Sequence, residues 1–484
     1  MMIGLKAKFL ILVCAVVSFT ARAVPEVDVA VVGGGSAGFA AAWNAARLGS
    51  SVVLVERTAR LGGTSVNGGV SNWEPVFGAT GTPRVVYERL LRIPGAVGVS
   101  SITRHCGWDD SKTGPVFPGG LCEIDPALGY VDTLRRHGPG MKAKDWFRQT
   151  CHGVIFEPEA MSSVMAEMLV ETGHCHVLTN VAVVSASAER RGPRVGPLCL
   201  SDGRLLRAKV VVDCCGVVCA AEGVPQMRSA RPNGATLVYR IAPGVAGRTG
   251  EELAAVPVCA WAKRFPVAFV TRFANGEMAV NMLPTMDGRE ALRLGREAAF
   301  VECRRRVFAH WAWMKTRWPE FADWHLKSVA SEVAYRETVR YRGDYVLSAE
   351  DVANGVRPED EIAAADHAFD SHGGVGFRGE LKAPYGIPYR CLVAEGRENM
   401  LMAGRIASFD DQAASSCRLS RTMMQLGEAA GIAAHLAAKR GGDVRRVSAA
   451  EIRCRQVNSA TGAPRINCSK EGRNMLYRQD ADRP

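Results

Sequence analysis

An α/β fold is predicted, with a parallel sheet drawn from the beginning, middle and end of the chain around a mixed α+β insertion. Three observations predict it. The β-branched run Val27–Val32 leads into Gly33-Gly34-Gly35-Ser36-Ala37-Gly38 and an alanine-rich stretch. A second apolar run, Leu205–Asp213, leaves its strand through Gly216. A third, Asn399–Ala403, closes at Gly404 ahead of the small-residue helix Leu419–Leu436. With 484 residues, 47% of them hydrophobic, the chain can bury a large core and form more than one packing unit.

The first unit is the most explicit. Val27–Val32 has strand composition, and the alanines of Phe39–Leu48 favour a helix. Gly49 stops that helix, Ser51–Val55 makes the next strand, and Glu56 stands at its end. In this order the glycines acquire separate tasks. Gly33 permits the tight turn, Gly35 admits a pyrophosphate, and Gly38 lets helix and strand pack closely. The helix start at Ser36 and Ala37 offers unpaired N–H groups to phosphate. Glu56, eighteen residues beyond Gly38, suits ribose hydroxyls and disfavours a 2′-phosphate. The pattern predicts a Rossmann-like dinucleotide site and leaves FAD and NAD both open. Arg57-Thr58-Ala59-Arg60-Leu61-Gly62-Gly63-Thr64 adds a second turn able to run beside a long cofactor.

Further along, residues 76–150 are Gly/Pro-rich and read as an irregular cover over the cofactor. Ala160–Glu171 reads as a helix, with strands near Val177 and at Val181–Val184; the backbone at Ala182 is a candidate adenine contact. In the insertion, Thr236–Ile241 and Val267–Arg272 have strand character and Arg289–Trp313 helical content. Trp313, Trp318 and Trp324 read as packing residues. Gly427, Ala430, Gly431 and Ala434 give the last helix a narrow face for close packing.

Composition excludes several classes. The 50 glycines follow no three-residue period, which rules out collagen. The net charge of +11 comes with no concentrated basic run or aromatic platform, so no nucleic-acid partner is expected. Lys6 and Lys8 precede the apolar run Phe9–Val17, and Ala21-Arg22-Ala23 supplies a cleavage signal. Residues 1–23 are therefore expected to be a secretory signal peptide, the mature chain to start at Val24 and the protein to be periplasmic or extracellular. No integral membrane domain is expected. Cys454 with Cys468, and Cys106 with Cys122, are open as disulfide pairs; Cys214, Cys215 and Cys219 lack metal-site spacing, and no metal is expected.

On these residues the chain resembles the bacterial FAD-dependent oxidoreductases of the FAD_oxidored type. The likeness starts at Val31–Gly38, passes Glu56 and Leu61-Gly62-Gly63-Thr64, and returns at Phe156–Glu159 and Ala208–Gly216. It continues at Arg336–Arg340, Gly343–Leu347, Ile387–Leu392 and Asn399–Arg405, and ends with Arg418 and Gly427–Gly431. Where such families carry Thr-Gly-Asp, this chain has Cys215-Gly216-Val217. The resemblance implies non-covalent FAD, contacts from Gly216, Gly404, Arg405 and Leu419 besides the first unit, and a substrate domain in the insertion. The chain then divides into 1–23, a cofactor domain at 24–224 that includes the cover at 76–150, an insertion at 225–384, a return at 385–440 and a polar tail at 441–484.

Flavin chemistry calls for an acid/base and for groups that orient the donor. His372, beside Gly373-Gly374, is the histidine candidate, and Tyr385 is a ring or substrate contact candidate. Arg336, Arg340 and Arg390 can orient an anionic or hydroxyl-rich substrate, and Arg418 precedes the final helix. The expected activity is hydride transfer from a small organic donor to FAD, with reoxidation by an unidentified acceptor. Alternatives are FAD-dependent reduction of an oxidised or unsaturated substrate, and a non-catalytic FAD-binding scaffold.

Overall fold

The computed structural model describes residues 23–104, 119–135, 152–186, 192–244, 268–282, 284–371, 381 and 383–456. The fold is mixed α/β. Its first sheet contains β1 (Ala23–Val32), β2 (Val52–Val55), β3 (Cys175–Leu178), β4 (Val183–Ala186), β5 (Leu198–Leu200), β6 (Leu205–Asp213) and β7 (Met400–Met402). The order is β3-β2-β1-β6-β5-β4, with β7 also on β6. β3, β2, β1, β6 and β7 are parallel, whereas β5 and β4 form an antiparallel extension. One edge of β6 serves two partners: Leu205 and Leu206 pair with β5, and Val211–Asp213 with β7.

Alternation places the first sheet between two cores. Val29 and Val31 of β1 join one cluster with Leu54, Val212 and Leu401. Ala30 and Val32 join the other, with Val53, Val55, Val211 and Met402. Parallel strands buried on both faces need this almost unbroken apolar composition.

Helix α1 (Ser36–Arg47) follows β1; α2 (Asp411–Cys417) and α3 (Ser420–Ala438) follow β7. α3 lies against α1 with almost no gap. A Cβ built on Gly427 would stand 2.1 Å from the Ala37 carbonyl oxygen, and one on Gly431 2.1 Å from that of Ala41. Gly431→Val is therefore expected to lift α3 from α1 and cost about 3 kcal/mol. An unchanged urea midpoint would contradict this packing account.

The second sheet changes the reading of the cover. Among the described residues its eight strands run in the order Trp324–Val329, Tyr239–Pro243, Met278–Met282, Ala268–Arg272, Gly120–Ile124, Val97–Arg104, Gly153–Phe156 and Asn72–Trp73. In its described part, the segment expected as an irregular cover contributes helix Thr82–Leu90 and two strands. Phe269–Arg272 pairs in parallel with Gly120–Glu123, which joins that segment to the insertion. The partner lies about 150 residues away, beyond what local composition reports. Helix Gly288–Arg317, capped by Asp287, covers this sheet with a kink at Gly295. Trp313 and Trp318 meet edge to face at 4.9 Å in its core.

Cys454 is disulfide-bonded, and Cys175, Cys199, Cys214, Cys215, Cys219, Cys303, Cys391 and Cys417 are free thiols. Residues 1–22 of the expected signal segment 1–23, Cys106 and Cys468 lie outside the described residues. Among those described, no helix is long and apolar enough to cross a membrane, and no group of three or more His, Cys, Asp or Glu side chains could hold a metal ion.

Candidate active site

The turn after β1 forms an anion cradle. α1 begins at Gly35 with no side-chain cap and no acid in its first turn, so its first N–H groups are free to meet an anion. A Cβ on Gly35 would touch nothing within 4 Å, which leaves the approach open. The neighbouring turn closes in from the side. Gly62 N–H donates to the Gly34 carbonyl at 2.8 Å, and a Cβ on Gly63 would lie 3.1 Å from Gly35 Cα. Gly404 reaches the same corner, where a Cβ would lie 3.2 Å from Ala37 Cβ.

Glu56 is buried beside this cradle. Its Oε2 accepts Gly34 N–H at 2.7 Å; its Oε1 accepts the N–H and hydroxyl of Thr58 at 2.8 and 2.7 Å. A carboxylate offers about four acceptor sites, so one remains on Oε2 for a ribose hydroxyl. α3 also begins uncapped, at Leu419, and its Ser420 hydroxyl lies 3.1 Å from that of Ser65. Open turn, two uncapped helix ends and a spare carboxylate lone pair fit a dinucleotide.

Next to the cradle, residues from distant segments form a charged recess. Arg405 donates through Nη1 to Thr64 Oγ1 at 2.6 Å and the Tyr335 carbonyl at 3.2 Å, while its buried Nε–H has no partner. Arg418 donates through Nη2 to Asp370 Oδ2 at 2.7 Å. Arg336 is tethered by Nη1 to the Gly234 carbonyl at 3.0 Å and to Thr236 Oγ1. Burial, reinforced by Arg418, pulls Arg336 down to about 9 and Arg405 to about 10. Both stay cationic at neutral pH.

Glu74 carries a side chain that is 50% exposed, yet burial is the largest single influence on its ionisation. Such a group lines an internal recess. Burial alone would raise its pKa, but His367 outweighs it and holds the carboxyl at about 2. His367 Nε2 lies 2.8 Å from Glu74 Oε2, and Nδ1 lies 2.9 Å from the Ala368 carbonyl. Both neighbours are acceptors, so the ring is most stable as imidazolium. Burial would lower its pKa; Glu74 overcomes that and raises it above 6.5. Glu74 therefore contributes stability above 4.5 that is lost as pH falls towards about 2. His367 contributes stability below 6.5 that is lost as pH rises through its elevated pKa. Arg421, buried in the first turn of α3, fixes this wall by donating to the Glu74 carbonyl and to Thr133 Oγ1.

Of the residues expected from sequence, the structure brings Arg336, Arg405 and Arg418 together and sets Gly33, Gly35, Ser36, Ala37, Gly38, Glu56, Gly62, Gly63, Thr64, Gly404 and Leu419 around the cradle. Others stand elsewhere. Tyr385 is fully buried, with its hydroxyl 2.7 Å from Ser416 Oγ, so it lies behind the site and cannot meet a ring or substrate. Arg340 is also fully buried, its guanidinium held by Glu337 and Asp411, which makes it a structural tie. Arg57 is half exposed and paired with Glu332, and Arg390 is paired with Asp360. Ala182 N–H donates to the Ser201 hydroxyl at 3.0 Å and its carbonyl accepts Ser201 N–H at 2.8 Å, so its N–H is already used. Gly216 N–H donates to Asp213 Oδ1 at 2.8 Å, a turn contact. His372 lies outside the described residues. Glu74, His367, Asp370 and Arg421 escaped the sequence reading. A signal existed for one of them: His367, with Asp366, directly follows the apolar run Ile362–Ala365.

No curated protein matches the sequence. Solved structures similar to the chain include the myxobacterial chondrochloren halogenase, at 14% identity over 87% of this chain and 77% of that one, with a TM-score of 0.44. A geranylgeranyl bacteriochlorophyll reductase-like protein from Thermoplasma acidophilum shares 10% identity over 94% and 96%, at 0.46. L-Amino acid deaminase from Proteus myxofaciens shares 12% over 87% and 92%, at 0.42. Likenesses this distant say nothing of the substrate. The family model described as FAD dependent oxidoreductase, in contrast, matches residues 28–455, a span that contains both the cradle and the recess. The chain therefore belongs to the FAD dependent oxidoreductase family, as an enzyme whose cofactor is FAD.

Proposed function

We propose that this enzyme oxidises a small organic donor, with hydride passing to FAD and a separate acceptor restoring the cofactor. One observation carries the reading: the Glu74–His367 pair and the arginines line a recess beside a cradle that fits a dinucleotide. In this reading the first sheet with α1 and α3 is the cofactor unit, and the second sheet supplies the donor's side.

When bound, FAD supplies two-electron acceptance from a C–H bond. The chain supplies position and a proton route. The N–H groups opening α1 would hold the pyrophosphate, and Glu56 would take a ribose hydroxyl. Glu74 faces the recess, accepts a hydrogen bond from the donor's hydroxyl or amine, and receives its proton. His367 behind it is the pair's proton store: above its pKa the pair lacks one proton and can take one. Oxidation then needs the deprotonated pair, so kcat/KM should rise with pH through a value above the ordinary 6.5. Glu74→Gln should lower turnover about 100-fold, retain FAD and move that limb down towards 6.5.

A second reading has one specific support. With both ring nitrogens facing acceptors, the imidazolium form is the resting one, which suits donation of a proton during substrate reduction. The two readings predict opposite pH slopes. Anaerobic bleaching of bound flavin by hydroxyacids, amines, sugars or other donors, recorded across pH, tests both. A protein that fails to retain FAD after refolding with it, and shows no spectral change with any donor or acceptor, would refute them.

We also propose export of the mature enzyme. The apolar amino-terminal segment with its cleavage signal supports this, as does the disulfide at Cys454, a bond that persists in oxidising compartments.

A further inference from the structure

We propose that the substrate is a carboxylate, and that Arg336 holds its carboxylate group through Nε and Nη2. The inference rests on the recess being the substrate side of the flavin site, as read above.

The recess is rich in cations. Among the described residues, Arg336, Arg405, Arg418 and the His367 imidazolium stand with two acids, Glu74 and Asp370. Those acids are already engaged, Glu74 by His367 and Asp370 by Arg418. Among the described residues, neither Arg336 nor Arg405 makes an ion pair. A buried guanidinium that makes no ion pair is unfavourable, and a bound anion relieves it.

The two arginines have different anchors, and these divide the work. Arg405 is tied to Thr64, in the turn whose Gly63 abuts Gly35, and follows Gly404, which abuts Ala37. It belongs to the cofactor wall. Arg336, next to the Tyr335 carbonyl that Arg405 also reaches, is tied instead to Gly234 and Thr236 of the segment leading into the second sheet. Those two bonds use Nη1 alone. The side-on edge of the guanidinium, Nε–H with Nη2–H, is left over, and its two parallel donors match the two oxygens of a carboxylate. Arg418 lies close enough to act on Arg336, and its own buried Nε–H has no partner, so the anion gains from a second cation nearby. A neutral polyol offers neither the charge nor the fork.

The test uses FAD-loaded protein and three matched pairs: glycolate and glycolamide, pyruvate and pyruvamide, benzoate and benzamide. Binding is read as perturbation of the flavin spectrum and by calorimetry, independently of turnover. At least one acid should bind, with its amide about 100-fold weaker. Arg336→Met should weaken that acid about 100-fold at unchanged FAD stoichiometry, and Arg336→Lys about 10-fold, because lysine keeps charge but loses the fork. The proposal is overturned if no acid binds, if acid and amide bind alike, or if Arg336→Met binds the acid as the wild type does. Loss of FAD from both variants would reassign Arg336 to the cofactor and also overturn it. Failure of the wild-type protein to hold FAD would instead remove the underlying functional reading.

Discussion

Replacing Gly38 with valine is expected to yield a protein that purifies without FAD and is less stable by about 3 kcal/mol or more. A Cβ at Gly38 would fall 1.7 Å from the Gly33 carbonyl oxygen and 2.9 Å from its carbon. Neither side can yield easily. Gly33 is fixed by its N–H bond to the Val55 carbonyl at 2.8 Å, so moving it disturbs the pairing of β1 with β2. α1 is clamped by α3, whose Gly427 already sits against the Ala37 backbone. The helix must tilt, and its uncapped N–H groups lose their aim at the pyrophosphate. The FAD-to-protein ratio and the urea midpoint check the claim; wild-type values for both would refute it.

The second large effect is expected at Asp213. Its side chain is fully buried at the end of β6 and accepts four backbone N–H groups: Cys215 at 3.0 Å, Gly216 at 2.8 Å, and Val218 and Cys219 at 2.9 Å each. Asp213→Ala leaves all four unmet. An unsatisfied buried donor costs roughly 1–3 kcal/mol, and water can recover part of that, so a loss of about 4 kcal/mol is expected. Asp213→Asn keeps one oxygen acceptor and should cost about half as much. The damage should reach the cofactor, because a Cβ on Gly33 would stand only 3.2 Å from Cys215 Cβ. Thermal and denaturant midpoints with FAD saturating would measure it, and a shift under 1 kcal/mol would reject the network's importance.

Asp213 also answers a question left by the sequence. The pattern Cys215-Gly216-Val217 lacks the hydroxyl and the acid of the family's Thr-Gly-Asp. In the structure an acid is present two residues before Cys215, and it organises the turn from the strand end. The local sequence differs while the turn's donors remain satisfied.

Legibility followed the range of the interactions. β1, the glycine turn, α1 and Glu56 were readable because their chemistry lies within about 30 consecutive residues. The narrow face of α3 was readable from Gly427 and Gly431, although the partner, α1, was not named by it. The second sheet was hidden, since Gly120–Ile124 has no local sign of its partner Ala268–Arg272. Site residues failed for the same reason. Arg336 and Arg340 are four residues apart and chemically identical, yet one faces the recess and the other is sealed by Glu337 and Asp411. Choosing His372 for its glycine neighbours passed over His367, whose partner Glu74 is 293 residues away. Tyr385 sits in the expected return strand, but side-chain direction depends on packing that the strand pattern does not specify.

The shared edge of β6 bears on how the molecule is made. Two segments compete for one strand: β5 claims its start as a near neighbour in sequence, and β7 must reach its end from Met400. While the polypeptide emerges from the ribosome, β1, β2, β3 and β6 can assemble long before β7 exists. During that interval the alanine side of α1 lacks its cover, because Gly427 and Gly431 are synthesised long after it. The FAD cradle is thus half formed early and finished late, and an intermediate waiting with an open sheet edge and a bare apolar helix is prone to aggregate. Cofactor loading and escape from aggregation would then both await completion of the same carboxy-terminal helix.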